Sequence, residues 1–513
     1  MTQNFFYLYS MFIRRKKNKS GVISIQIITK LNGKSKLVKT IGSSKDESEI
    51  GFLIVKAQKF IDNYAGQLQF DFSTTSTLLK SAFKSIISHT EIGTELLLGT
   101  IFNEIGFNKI QEKLFRHLVF ARLSYPVSKL KTSDYLTKYK NINISVQQIY
   151  RYLDKLDKGQ KDLIQQISYE HTLNVLGCII SVVFYDVTTL YFQIDNEDQI
   201  RKRGFSKEGK HQNPQIVLGL LVSINGYPLA FEIFEGNKFE GYTMLPIIDA
   251  FKVKYKLDKL IIVADSGLLS TKNIIELQEK GYEFILGARI KNEKKDLKRK
   301  ILSLELKNGE SQIIEKSELL KLIISYSDKR AKKDRYNRER GLIRLEKQLK
   351  SGKLTKSNIN NRGYNKYLKM DGEIKISIDE DKFEADAKWD GLKGYITNTT
   401  LSKDKIIENY AHLWKIEKAF RISKHDLKIR PIYHRLQRRI EAHIAINFAA
   451  YKVYKELERQ LKEKKSNLSP EKAIDIAKTI YQVIARSDNN QSVKHILLLT
   501  DEQKYLSELF EFG

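Results

Sequence analysis

Residues 178–192 read CIISVVFYDVTTLYF. A run this dense in β-branched and aromatic residues reads as a central strand covered on both faces. Asp186 stands in the middle of it. A carboxylate among apolar neighbours is unfavourable unless it meets a cation or a hydrogen-bond donor. The plainer reading is a strand-edge Asp capped by Thr188 or Thr189. Cys178, the only cysteine, opens the run and reads as a small buried hydrophobe. One cysteine forms neither an internal disulfide nor a cysteine metal site, so any bound metal must use oxygen or histidine ligands.

Working outward, residues 215–224 (QIVLGLLVSI) and 227–236 (YPLAFEIFEG) flank Asn225-Gly226, a strong hairpin signal. Residues 243–255 read as a helix, and 259–267 (KLIIVADSG) as a buried strand ending in Asp265. Residues 271–281 form a helix with Ser270 or Thr271 as cap and Gly281 as stop, and 282–288 form another strand. The order is β-β-β-α-β-α-β. Three strands are antiparallel through hairpins, and two more are added through helices. Ligands of open sheets collect at carboxyl ends of strands, where Asp265 lies; an Asx turn or helix cap is its plainer role.

Beyond this block the chain changes character. Residues 1–75 read as a small β/α module with a hairpin at Asn32-Gly33. Residues 90–172 carry helical periodicity, and 145–156 (SVQQIYRYLDKL) place Arg151 and Lys155 on a polar side. This region is a candidate DNA-end-binding helix-turn-helix, or else plain helical packing. Residues 291–390 read as a β-rich basic insertion. Within it, 372–391 (GEIKISIDEDKFEADAKWDG) alternates like an antiparallel pair, and 328–353 is a basic helical or disordered segment. The basic run is either a solvated helix or a contact to DNA backbone. The core strands 176–290 resume at 391–460, and 461–513 reads as a C-terminal helical region opened by Ser469-Pro470.

Lys and Arg number 89 against 61 Asp and Glu, a formal net charge of +28. That excess points to a polyanionic partner, although an AT-rich genome also enriches Lys. No apolar stretch reaches the ~20 residues of a membrane span. The first residues place their charges after the apolar part, the reverse of a secretory signal, so a cytoplasmic protein is expected.

Residues 403–424 (KDKIIENYAHLWKIEKAFRISK) read as one helix ending before Arg430-Pro431. Tyr410, Glu417 and Lys424, seven apart, fall on one stripe, and Arg421 lies one turn after Glu417. A surface ion-pair network is the plain reading. Asp186 and Asp265 on strands of one sheet, with Glu417 on a helix against it, instead suit hard divalent cations, Mg²⁺ or Mn²⁺. Two ions ~4 Å apart serve phosphodiester chemistry. Arg421 and Lys424 would then touch phosphates, and Tyr410 would position a nucleotide.

Three segments, YDVTTLYF (185–192), VADSGLLS (263–270) and NYAHLWKIEKAFRISK (409–424), resemble the catalytic segments of insertion-sequence DDE transposases. The last resembles the subgroup with a Y-(2)-R-(3)-E-(6)-K signature. Tyr410, Glu417 and Lys424 match with both spacings intact, whereas Leu413 occupies the Arg position. Lys415 or Arg421 are the nearby cations that could replace it. RPIYHRLQRRIEAHIAINFAAY (430–451) also resembles this group. The resemblance covers roughly residues 90–455. It implies an α/β, RNase H-like mixed-sheet core with a β-rich insertion between the second Asp and the Glu. It implies a magnesium-dependent endonuclease and strand-transferase acting on double-stranded element ends and target DNA. Synapsis of two ends implies a homodimer.

By the same resemblance, the loop GFSKEGKHQNPQ (204–215) would bring Lys207, Lys210 and His211 to DNA; a flexible basic loop is its plain reading. Two other functions stay open. One is a nuclease of this fold that cuts without joining strands, which inverted repeats flanking the gene would argue against. The other is a DNA-binding protein without catalysis, which metal-dependent cutting would exclude.

Overall fold

The computed structural model describes residues 11–31, 34–64, 83–156, 158–206, 209–268, 270–352, 354–360, 363–371, 375–486 and 491–512. The chain divides into two compact units, residues 1–89 with 483–495, and residues 90–482 with 496–513.

In the first unit β1 (Met11–Lys17), β2 (Ile23–Leu31) and β3 (Lys34–Ser44) form an antiparallel meander backed by α1 (Glu47–Tyr64). Ile25, Ile27, Ile50 and Ala57 are buried between sheet and helix. Leu31 pairs with Lys34, so a two-residue connection joins β2 to β3. The Asn32-Gly33 turn expected there lies outside the described residues. A second small sheet has the order β16-β15-β4, from β4 (Ile86–Glu91), β15 (Tyr481–Arg486) and β16 (Ser492–Leu497).

The second unit opens with helices α2 (Gly93–Ile105), α3 (Lys113–Ser124), α4 (Lys129–Lys140), α5 (Val146–Lys155) and α6 (Lys158–Val175). The sheet strands follow: β5 (Val182–Tyr191), β6 (Gln215–Ser223), β7 (Pro228–Glu235), β8 (Ile261–Ala264) and β9 (Glu283–Ala288). Helices α7 (Met244–Tyr255) and α8 (Thr271–Glu279) carry the crossovers. Ser270 caps α8 by accepting from the Asn273 amide, and Gly281, at φ +68°, ends the turn beyond it. The strands lie in the order β7-β6-β5-β8-β9; β5-β6-β7 are antiparallel, and β8 and β9 are parallel to β5. This is the RNase H-like arrangement that the strand pattern foreshadows.

The insertion contains α9 (Lys295–Leu302), β10 (Ser311–Ser317), β11 (Leu320–Tyr326), α10 (Asp328–Lys350), β12 (Leu368–Asp371), β13 (Lys375–Ile378) and α11 (Glu380–Ala387). Strand β14 (Leu392–Thr397) returns beside β9, and β11 and β10 extend it, giving an eight-stranded sheet. The segment 372–391 is not an antiparallel pair by itself. Among its described residues the one strand, β13, pairs with the preceding β12. Asp379 then accepts from the Lys382 amide, and Glu380 and Asp381 occupy the first turn of α11. Acids at a helix N-terminus outweigh the alternating pattern.

The last part holds α12 (Lys403–Ala411), α13 (Trp414–His425), α14 (Gln437–Glu463), α15 (Pro470–Ala477) and α16 (Asp501–Phe510). Two expectations change here. The segment 461–513 is not wholly helical, because β15 and β16 lie between α15 and α16. Residues 403–424 form two helices rather than one. Leu413 N–H bonds to Tyr410 C=O, and Lys415 N–H to His412 C=O, both three-residue closures that tighten the turn and offset the second helix. Cys178 is also exposed rather than buried; itself at φ +66°, it follows Gly177 and precedes the strand proper.

Strand parity divides the core. Phe184 and Leu190 of β5, with Ile261 and Val263 of β8, face the layer containing α12, α13 and α14. Val183, Tyr185, Ile262 and Ala264 face the layer containing α7. Helix α14 packs on α2, α3, α5, α6 and α13. At its heart Glu456, 0% exposed, accepts from Tyr227 Oη at 2.6 Å, Arg459 Nη2 at 2.5 Å and Gln460 Nε2 at 3.1 Å. Burial raises the pKa of this carboxyl, but Arg459, Tyr227 and His171 more than reverse that, bringing it to about 2. Lys452, one turn earlier, is equally buried and donates to Ser168 C=O at 3.0 Å and Thr172 Oγ1 at 2.6 Å. The network ties α14 to α6 and to the β6–β7 turn.

Candidate active site

The parallel register of β5 and β8 ends at Tyr185 opposite Ala264. Asp186 and Asp265 are the next residue on each strand, so they lie side by side on neighbours ~4.8 Å apart. Both continue the parity of Phe184 and Val263, and therefore face the layer of α12 and α13. β8 ends there and β5 runs on, which opens the edge above Asp265. Asp265 is exposed and Asp186 half-buried. Asp186 Oδ1 accepts from the Val187 amide at 2.7 Å. Asp265 Oδ1 accepts from the Ser266 amide at 2.7 Å and from Tyr410 Oη at 3.2 Å.

Tyr410 is buried at the end of α12, which lies on β8 and β9. Its hydroxyl passes so close to β9 that a Cβ on Gly287 would come within 2.4 Å of it, which is why glycine stands there. Burial first, then the charge and hydrogen bond of Asp265, raise the phenol's pKa; Glu417 adds to this. Glu417 sits on the exposed side of α13, whose Ile416, Ala419 and Phe420 pack inward. Its charge reaches Tyr410 although the two residues belong to separate helices.

Lys393 of β14 completes this edge. Its ammonium lies 4.4 Å from the Tyr410 ring centroid. Burial lowers its pKa and Arg330 does the same, while Asp265 and Glu417 pull it upward. Asp265 and Glu417 thus act on the same two side chains, Tyr410 and Lys393. Beside them opens a cleft of about 790 Å³, lined by Ser266, Lys393, Arg289, Lys291, Arg330 and Trp389 among others. Arg330 belongs to the basic segment that sequence reading left between solvated helix and DNA contact.

The structure aligns the two aspartates on neighbouring strands, and the charge of Glu417 acts on the Tyr410 and Lys393 beside Asp265. Among the described residues, no three His, Cys, Asp or Glu side chains are drawn together closely enough to hold one ion. The three candidates offer carboxylate oxygens, the donor type that a hard divalent cation requires. Leu413 is buried in the sheet-facing core. Lys415 turns to the Ile224 carbonyl at 2.5 Å, and Arg421 is exposed. The cation over Tyr410 is Lys393, which sequence reading missed because β14 looked like an ordinary core strand. Lys424 is half-buried on α13. Lys210 and His211 are exposed, and His211 Nδ1 accepts from the Ser206 amide at 3.2 Å, a local loop bond. Lys207 lies outside the described residues.

Among the described residues no helix is long and apolar enough to cross a membrane. No curated protein sequence matches the chain significantly. A solved structure of piggyBac transposase, in a synaptic complex with hairpin DNA, resembles it at 9% identity and a TM-score of 0.38, covering 75% of this chain and 78% of that one. The family described as transposase DDE domain matches residues 178–452, which span β5, the insertion, both aspartates, Glu417 and most of α14. On that match, over more than half its length, the chain belongs to the DDE transposases.

Proposed function

We propose that the chain binds the terminal inverted repeats of its own element, cleaves DNA there, and joins the freed 3′ ends to target DNA by cut-and-paste transposition. The observation that carries this is the parallel register that sets Asp186 beside Asp265, with the charge of Glu417 acting on the Tyr410 that bonds Asp265. In this reading Asp186, Asp265 and Glu417 hold Mg²⁺ or Mn²⁺, two ions per site. Such ions, when bound, activate the attacking oxygen and stabilise the leaving one. Tyr410 holds the Asp265 carboxylate in place through its hydroxyl. Lys393, with Arg421 and Lys424, contacts backbone phosphates. The basic cleft beside Ser266 receives the strand next to the scissile bond, and Lys207, Lys210 and His211 contact DNA from their loop.

Helices α2–α6 form the end-binding region, and the active species is a homodimer that pairs two ends in the bacterial cytoplasm. A plasmid carrying the gene's native flanking DNA tests the reading. Purified protein with Mg²⁺ is expected to cut at defined flanking positions, and EDTA to abolish cutting. Binding to the flanks without any cutting would leave only the DNA-binding function. Cutting without joined products would leave a nuclease.

A further inference from the structure

Helix α3 ends, and α4 begins, at a second basic place in the same unit. A cavity of about 290 Å³ opens there, with Arg122, Lys129, His434 and His443 among the residues lining it. Arg122, Lys129 and His443 are each only 6% exposed. Their partners are poor. Arg122 Nη1 reaches the Leu427 and Lys428 carbonyls at 3.4 and 3.5 Å, long for such bonds. His443 Nε2 meets the Ile429 carbonyl at 2.9 Å, while its buried Nδ1 has no hydrogen-bond partner. Asp154, the acid whose charge acts on His434, is already held by Arg438 at 2.8 Å and Arg439 at 2.6 Å.

Buried cations are ordinarily paired, because leaving water without a counter-charge is unfavourable. Here two buried strong cations, Arg122 and Lys129, share one cavity with two histidines and with the less buried Lys428 and Arg430. Burial and mutual repulsion push the ammonium of Lys129 and the imidazole of His443 well below their usual pKa values, and His434 to about 4. Among the described residues, no carboxylate offsets either Arg122 or Lys129. The N-terminus of α4, capped by Ser128, adds its positive end. Surface lysines need no such arrangement. It makes sense when an anion arrives to neutralise the cluster, recharging Lys129 and giving His443 Nδ1 a proton to donate.

We propose that this cavity is a phosphate-binding site, in which Arg122, Lys129 and His443 grip one tetrahedral oxyanion. The phosphate comes either from the DNA backbone or from solution, and the site is separate from Asp186, Asp265 and Glu417.

The full chain is melted in sodium phosphate and in sodium chloride of equal ionic strength, and its affinity for flanking duplex DNA is measured across salt concentrations. Wild type is expected to gain a few degrees in phosphate over chloride. Lys129→Met is expected to melt no lower than wild type in chloride, since a buried amine without a counter-charge is gone, and to lose the phosphate gain. If the anion is a backbone phosphodiester, the same variant also binds duplex about 10-fold more weakly, and its salt slope falls by about one. If duplex binding is unchanged while the phosphate gain is lost, the site takes free phosphate. The proposal is overturned if phosphate acts no differently from chloride and duplex binding is unchanged. It is also overturned if Lys129→Met and Lys129→Gln both melt well below wild type in chloride, because the ammonium would then be holding the fold. Cleavage by Asp186→Asn is measured separately, so a failed catalytic assignment would not be mistaken for a failed phosphate site.

Discussion

Asp186→Asn is expected to lower metal-dependent cleavage by roughly a thousandfold or more, with DNA binding and folding unchanged. The substitution replaces one carboxylate oxygen by an amide nitrogen. The remaining carbonyl oxygen can keep the 2.7 Å bond from the Val187 amide, so β5 retains its local geometry. What disappears is the negative charge beside Asp265. An amide carbonyl is a much weaker ligand for a hard divalent cation than a carboxylate. A structural role for Asp186 would give the reverse pattern, with reduced melting temperature and near-normal cleavage per folded molecule. Activity within tenfold of wild type at saturating Mg²⁺ would remove Asp186 from the catalytic set.

Glu456→Ala is expected to destabilise the second unit by about 3–5 kcal/mol, the usual penalty for breaking a buried charged network. Removing the carboxylate strands Tyr227 Oη, Arg459 and Gln460 Nε2, which all bond to it inside the protein. Glu456→Gln keeps an acceptor for Tyr227 and should cost less. The network also predicts a pH dependence. The folded carboxyl titrates near 2, below the ordinary glutamate range. The folded state therefore binds this proton more weakly than the unfolded chain. The stabilisation is fully present above the ordinary glutamate pKa and is lost as pH falls from there towards 2. Denaturant midpoints for wild type and Glu456→Gln should therefore converge on acidification. A constant difference between them from neutral pH down to 3 would show that the charge of Glu456 does not supply the stability.

Much of the catalytic core was legible because its signals are local. The Asn225-Gly226 hairpin, the apolar strand around Asp186 and the strand ending at Asp265 each announce themselves within about ten residues. Their order leaves few sheets to choose from. The site was harder to read. A spacing of seven puts Tyr410, Glu417 and Lys424 on one stripe of a single helix, yet the chain forms two helices with tight closures at 412–413. Tyr410 and Glu417 share no helical phase, and the charge of Glu417 acts on Tyr410 through the packing of two helices. Lys393 could not be found by periodicity, because it reaches Tyr410 only once β14 returns beside β9. The cluster of Arg122, Lys129 and His443 is equally invisible, since more than 300 residues separate Arg122 from the Leu427 carbonyl it touches. Strands β15 and β16 were missed for a similar reason, as they follow a well-marked helix start at Ser469-Pro470 and their sheet is completed by distant β4 beside β15.

The central claim is that Asp186, Asp265 and Glu417 hold metal together. It is tested most directly by counting Mn²⁺ bound to the DNA-bound protein, by electron paramagnetic resonance, in wild type and in Asp186→Asn, Asp265→Asn and Glu417→Gln. The account predicts Mn²⁺ bound by wild type, and lost or greatly weakened in each variant without loss of DNA. Wild-type Mn²⁺ binding in all three variants would contradict it.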